Sequence, residues 1–141
     1  MAFELPIQIS CECGPDSMPI QMGGNIQSVA MKGTVYVGGG IAEFGGHANH
    51  IVNAYDVYSE EWFELPAYRA FNFALVILDN ELVLVGGVEN GEKLSVVGVW
   101  NTDNEEWSHP YPDMRTARSE CSAGVCRDWL IVAGGIGESG D

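Results

Sequence analysis

Positive charge is scarce in this sequence: 6 lysines and arginines stand against 20 aspartates and glutamates, a net charge of −14. Such a surface repels phosphate backbones and anionic headgroups, so neither nucleic acid nor membrane is expected as a partner, and basic partners are favoured. Long apolar runs are missing too. The longest, "FALVIL" at Phe73–Leu78, stops at Asp79, far short of a membrane span. The opening "MAFELPIQIS" has no basic start and no extended apolar stretch, so no secretory signal is expected. A cytoplasmic location with reduced cysteines follows as the expectation. The 4 cysteines are spaced as "CEC" at Cys11–Cys13 and as Cys121 with Cys126, and neither pair is a C-x-x-C. Helical patterning is also lacking, since "SEEWFELP" meets proline after a few residues.

Signatures of catalysis are equally thin. There is no G-x-S-x-G, and "GGVENG" has no lysine in the P-loop position. Glu60, Glu61, Glu105 and Glu106 recur at matching turns, which marks them as solvated turn residues rather than an acid/base pair. "GGHANH" sets His47 and His50 three apart near Glu43, but this glycine-flanked stretch has no firm third ligand, so no metal and no other cofactor is expected.

What the chain does have is glycine placed where strands should end. "VYVGGG" at Val35–Gly40 is followed by "LVLVGG" at Leu82–Gly87 and "LIVAGG" at Leu130–Gly135. Glycine costs a strand entropy and packs nothing, so in a strand it marks a bend or a close backbone approach. Gly39 precedes Gly86 by 47 residues and Gly86 precedes Gly134 by 48. Other features keep step. Tyr55-Asp56 and Trp100-Asn101 each lead, seven residues on, to Trp62 and Trp107 through the acidic turns "DVYSEEW" and "NTDNEEW". Short polar side chains in such turns bond to backbone two residues ahead. Each glycine pair is also preceded by a turn, "MKG", "LDN" or "CRD".

Each unit therefore reads as four short strands. The first spans residues 26–31, 34–38, 51–57 and 61–65, and the second spans 71–78, 81–85, 95–101 and 105–108. The third offers 120–126 and 129–133. "FNFALVIL" and "LVLV" are apolar on successive residues, as in sheets covered on both faces.

The double glycine after an apolar strand, the Tyr-Asp pair and the later Trp, at a period near 48, resemble the kelch repeat over roughly Gly23–Gly135. The resemblance implies an all-β, kelch-like β-propeller, here partial, with about two and a half four-stranded blades. Its expected divisions are an N-terminal segment 1–22, read as the tail of a preceding blade ("FELP"), blade 1 at 23–66, blade 2 at 67–112 and a partial blade 3 at 113–141. It implies structural roles for Gly39, Gly40, Tyr55, Trp62, Gly86, Gly87, Trp100, Trp107, Gly134 and Gly135. The family often has an arginine about sixteen residues before the glycine pair; Arg118 sits there before Gly134, whereas Ala70 and Gly23 hold the matching positions.

A propeller closes with four to eight blades. An open blade face of several hundred Å² would forfeit on the order of 10 kcal/mol at ~25 cal/mol per Å², comparable to the ~5–15 kcal/mol stability of a domain. The expectation is that remaining blades come from a longer chain or from self-assembly. The resemblance implies a protein partner and a non-catalytic interaction module, as in ubiquitin-ligase substrate adaptors or actin-binding proteins. The alternative it leaves is a carbohydrate-active enzyme of the sialic-acid mutarotase type. The expected partner-binding loops carry His47, His50, Glu89, Asn90, Arg69, Arg115 and Arg118. Arg69 and Arg115 are candidates for holding a carboxylate through two parallel bonds; the competing reading is that they close local turns or pair with neighbouring acids.

Overall fold

The computed structural model describes residues 26–39 and 52–137; Gly40, Glu43, His47, His50, Cys11 and Cys13 lie outside them. Four strands, β1 (Gln27–Met31), β2 (Thr34–Gly38), β3 (Asn53–Asp56) and β4 (Glu61–Glu64), form one antiparallel sheet in chain order. A second sheet joins β5 (Ala74–Leu78), β6 (Glu81–Val85), β9 (Val97–Asn101) and β10 (Glu106–Ser108) in the same up-and-down sense. Between β6 and β9 rises a small hairpin of β7 (Val88–Glu89) and β8 (Glu92–Lys93). The third unit has β12 (Ser122–Cys126) paired with β13 (Trp129–Ala133), and β11 (Arg118–Ser119) paired with β14 (Ile136–Gly137). No helix forms among the described residues, and none there is long and apolar enough to cross a membrane.

Local chemistry sets these elements. Lys32-Gly33 and Asp79-Asn80 both take left-handed backbone between paired strands, the geometry that two-residue hairpin turns require. At the acidic turns, Asp56 Oδ1 accepts from the N–H of Tyr58 at 2.8 Å, and Asn101 Oδ1 accepts from that of Asp103 at 2.8 Å. Asp and Asn are interchangeable here because the turn needs only the side-chain oxygen.

The sheets stack face to face as propeller blades, with β5 lying between β1 and β12 as neighbouring inner strands. Between the first two blades sit Tyr36, Val52, Ala54 and Leu65 against Phe73, Leu75, Leu82, Leu84 and Trp100. Between the second and third sit Val76, Val83, Val85, Val97 and Val99 against Ala123, Leu130 and Val132. Both faces of β6 are thus covered, which is why "LVLV" does not alternate. Burying each such Leu, Val or Phe contributes about 1.5–3 kcal/mol. Tyr55 pairs with Trp62, and Trp100 with Trp107, in equivalent register, with ring centroids 5.1 and 5.0 Å apart. Trp107 donates its indole N–H to the Pro66 carbonyl at 2.8 Å, tying the outer strand of one blade to the chain leaving the previous one.

Two of the expected strand starts are displaced by a left-handed residue. β5 begins at Ala74 rather than Phe71, and β12 at Ser122 rather than Glu120. Asn72 (φ 54) and Glu120 (φ 55) are left-handed, which breaks the extended run and frees the residues before each to pair elsewhere. Phe71 bridges to Val88, and Arg118–Ser119 becomes β11.

Candidate functional site

The loops that enter the inner strands and those that follow the glycine pairs interlock at one end of the blades. Phe71 and Val88 exchange two backbone hydrogen bonds, at 3.1 and 2.8 Å. Gly87 N–H donates to the Arg118 carbonyl at 3.0 Å, Arg118 N–H to that of Leu94 at 3.1 Å, and Met114 N–H to that of Ser95 at 2.8 Å. Blade 2's loop is therefore clamped between its own entry strand and the entry to the next blade. This close packing is what the glycines permit. Gly86 (φ 66) and Gly87 (φ 106) are left-handed, and a Cβ on Gly87 would stand 2.6 Å from the Phe71 carbonyl oxygen. A Cβ on Gly86 would collide with the carbonyl of Arg118.

On this frame the expected residues take distinct positions. Arg69 reaches Glu89 with two bonds, Nη2 to Oε2 at 2.5 Å and Nε to Oε1 at 3.3 Å. The pair is solvent-exposed, so it adds only about 0–1 kcal/mol to stability. Asn90, left-handed at φ 51, forms the hairpin tip with Gly91 (φ 85). Arg118 donates from Nη1 to the Gly134 carbonyl at 2.8 Å, closing its own unit onto the glycine pair. Arg115 is exposed and makes no ion pair among the described residues. Tyr68, beside Arg69, is buried and faces Trp107 and Phe73 rather than solvent.

Nearer the blade axis, Gln27, Asn72, Phe73, Glu120, Cys121 and Ser122 line a cleft of about 280 Å³. Gln27 spans the units: its Oε1 accepts from Leu75 N–H at 3.0 Å and its Nε2 donates to the Cys121 carbonyl at 2.8 Å. The Cys121 thiol is buried, and desolvation raises its pKa, which keeps it protonated and unreactive. The sequence reading missed this cleft, although a signal for it exists: Asn72 and Glu120 stand one repeat apart, 48 residues, each just before an inner strand.

No protein-family model matches the sequence. Among curated proteins, it is 27% identical over 88 residues to Kelch repeat and BTB domain-containing protein 1 of Ectromelia virus (strain Moscow), covering 60% of this chain and 16% of that protein. It is 32% identical over 108 residues to Kelch-like protein 40 of Xenopus tropicalis, covering 74% of this chain and 17% of that protein. The chain belongs to the kelch-repeat β-propeller family. The solved structure of YjhT superposes with a TM-score of 0.71 over 88% of this kelch chain and 41% of that one, at 15% identity, a likeness of fold. The kelch chain spans about a sixth of the length of the curated relatives named above.

Proposed function

We infer that this kelch propeller chain is a non-catalytic protein-binding module of the cytoplasm, and that its partner docks on the end carrying Arg69, Glu89, Asn90, Arg115 and Arg118. The supporting observation is the interlocked loop end, where backbone bonds hold exposed polar side chains on a rigid scaffold, the setting in which recognition residues concentrate. The sequence expectation for His47 and His50 falls outside the described residues. Within a longer protein the module would recruit substrate for a ubiquitin ligase or bind actin. The reading includes further blades, from a longer chain, against the outer face of β12–β13, where Trp129 and Ile131 are exposed; the much greater length of the relatives supports this.

The fold alone serves a sugar enzyme as well as a binding module, so the test needs both arms. Affinity capture from cell lysate with the wild type, Arg115→Ala and Asn90→Ala, and with Glu60→Ala and Asp103→Ala at the opposite end, is read by mass spectrometry. One partner lost with the first two variants and kept with the last two is expected. Thermal stabilisation by N-acetylneuraminic acid, with no partner sensitive to Arg115 or Asn90, would overturn the reading.

A further inference from the structure

The axial cleft holds groups that the loop residues leave unused. Its walls come from three successive units: Gln27 before the first inner strand's core, Asn72 and Phe73 at the second, and Glu120, Cys121 and Ser122 at the third. Gln27 has both ends of its amide engaged, and the Cys121 carbonyl is taken by it. Asn72 and Glu120 are not satisfied in this way.

Asn72 is only 4% exposed, yet its Oδ1 has no hydrogen-bond partner. A buried amide oxygen in that condition calls for an explanation, of which a missing ligand is one. A half-turn of the amide exchanges its oxygen and nitrogen without moving the chain. Glu120 is exposed, and its carboxylate makes no ion pair among the described residues. The two are linked through backbone, since Glu120 N–H donates to the Asn72 carbonyl at 3.0 Å. Both take left-handed φ, of 54° and 55°, where the chain turns into the inner strands. Among the described residues, no lysine or arginine lines the cleft. At about 280 Å³ it lies just below the roughly 300–1,000 Å³ of drug-sized pockets, a size suited to one long side chain.

We propose that this cleft receives one cationic side chain, an arginine or lysine, from the protein that docks on the loop end, with Glu120 as counter-charge and the Asn72 amide as hydrogen-bond acceptor. The inference rests on the protein-binding reading and names the chemistry of the partner. A guanidinium has five N–H donors and no acceptor, so it satisfies both groups at once and leaves none of its own in conflict with the wall. The net charge of −14 draws such a group in. Arg115, exposed in the loop that enters the third unit, remains for a carboxylate on the same partner, so the recognised surface carries both signs.

The experiment is a random-peptide display selection on the full chain, with enriched peptides resynthesised and their affinities measured by fluorescence anisotropy. Enriched peptides are expected to share an arginine or lysine. Replacing it by citrulline and changing Glu120→Gln should each weaken binding about tenfold, the scale of one charge-assisted hydrogen bond, and the two losses should not add. Glu120→Lys should abolish binding. Lysine in place of arginine tells whether the planar fork or the charge alone is read. Glu120 is exposed, and an unchanged melting curve for Glu120→Gln shows that the fold is kept. Peptides that bind without a cation, or that ignore Glu120, would overturn the proposal and leave the binding module standing. A selection that yields no binder at all would overturn both.

Discussion

Tyr68 lies where two blades meet, and its hydroxyl is buried there without a hydrogen-bond partner. The ring fits because Gly98 opposite has no side chain; a Cβ at that position would stand 2.5 Å from the hydroxyl oxygen. Burial removes the phenol from water and pushes its pKa up to about 12. The folded protein therefore holds a proton that the unfolded chain gives up above about pH 10. Stability from this group is intact below pH 10 and is lost as pH rises towards 12. Tyr68→Phe keeps the ring and removes the orphan hydroxyl, so urea unfolding at neutral pH should show no loss, or a gain of up to about 1 kcal/mol. The same variant should lack part of the wild type's decline between pH 10 and 12. A loss above about 2 kcal/mol at neutral pH would show that the hydroxyl is bonded after all.

Among the elements, the inner strands depend on a cross-link that no strand pattern announces. Gln27, at the start of β1, bonds the free edge of β5 through Leu75 and the entry to β12 through Cys121. Gln27→Ala leaves a partly buried N–H and a carbonyl without partners, and should cost about 1–3 kcal/mol at two hydrogen bonds. Urea denaturation of the wild type and the variant measures this; equal midpoints would mean the bridge adds nothing. The strands themselves were legible: the apolar runs, the Asp-Asn and Lys-Gly turns and the seven-residue Tyr-to-Trp interval each map onto β1–β6, β9, β10, β12 and β13. Residues whose work is local could be read from local chemistry. The β7–β8 hairpin was not foreseen, although Asn90-Gly91 is a hairpin turn signal, because two-residue strands carry no periodicity. Nor was the axial cleft, since Gln27, Asn72 and Glu120 lie 45 and 48 residues apart in sequence and meet only once the blades stack. Arg69 and Glu89 were each legible as loop residues, but their pairing depends on the Phe71–Val88 bridge that brings the two loops together.

For the whole molecule, stacking of repeated sheets does two things at once. It covers both faces of the middle blade, and it gathers the entry loops and the post-glycine loops of successive blades at one end. The opposite end carries the acidic turns after β3 and β9, where side chains are spent on local capping. The outer face of β12–β13 is apolar and exposed at Trp129 and Ile131, in keeping with the proposal that further blades lie there. The proposed function places recognition at one end and further blades on the blade face. Amide hydrogen exchange on the chain bound to its captured partner separates them most directly. The account predicts slowed exchange in residues 68–72, 88–93 and 113–120, with residues 57–60 and 102–105 unchanged. Protection confined to the acidic turns, or to Val125–Ile131, would contradict it.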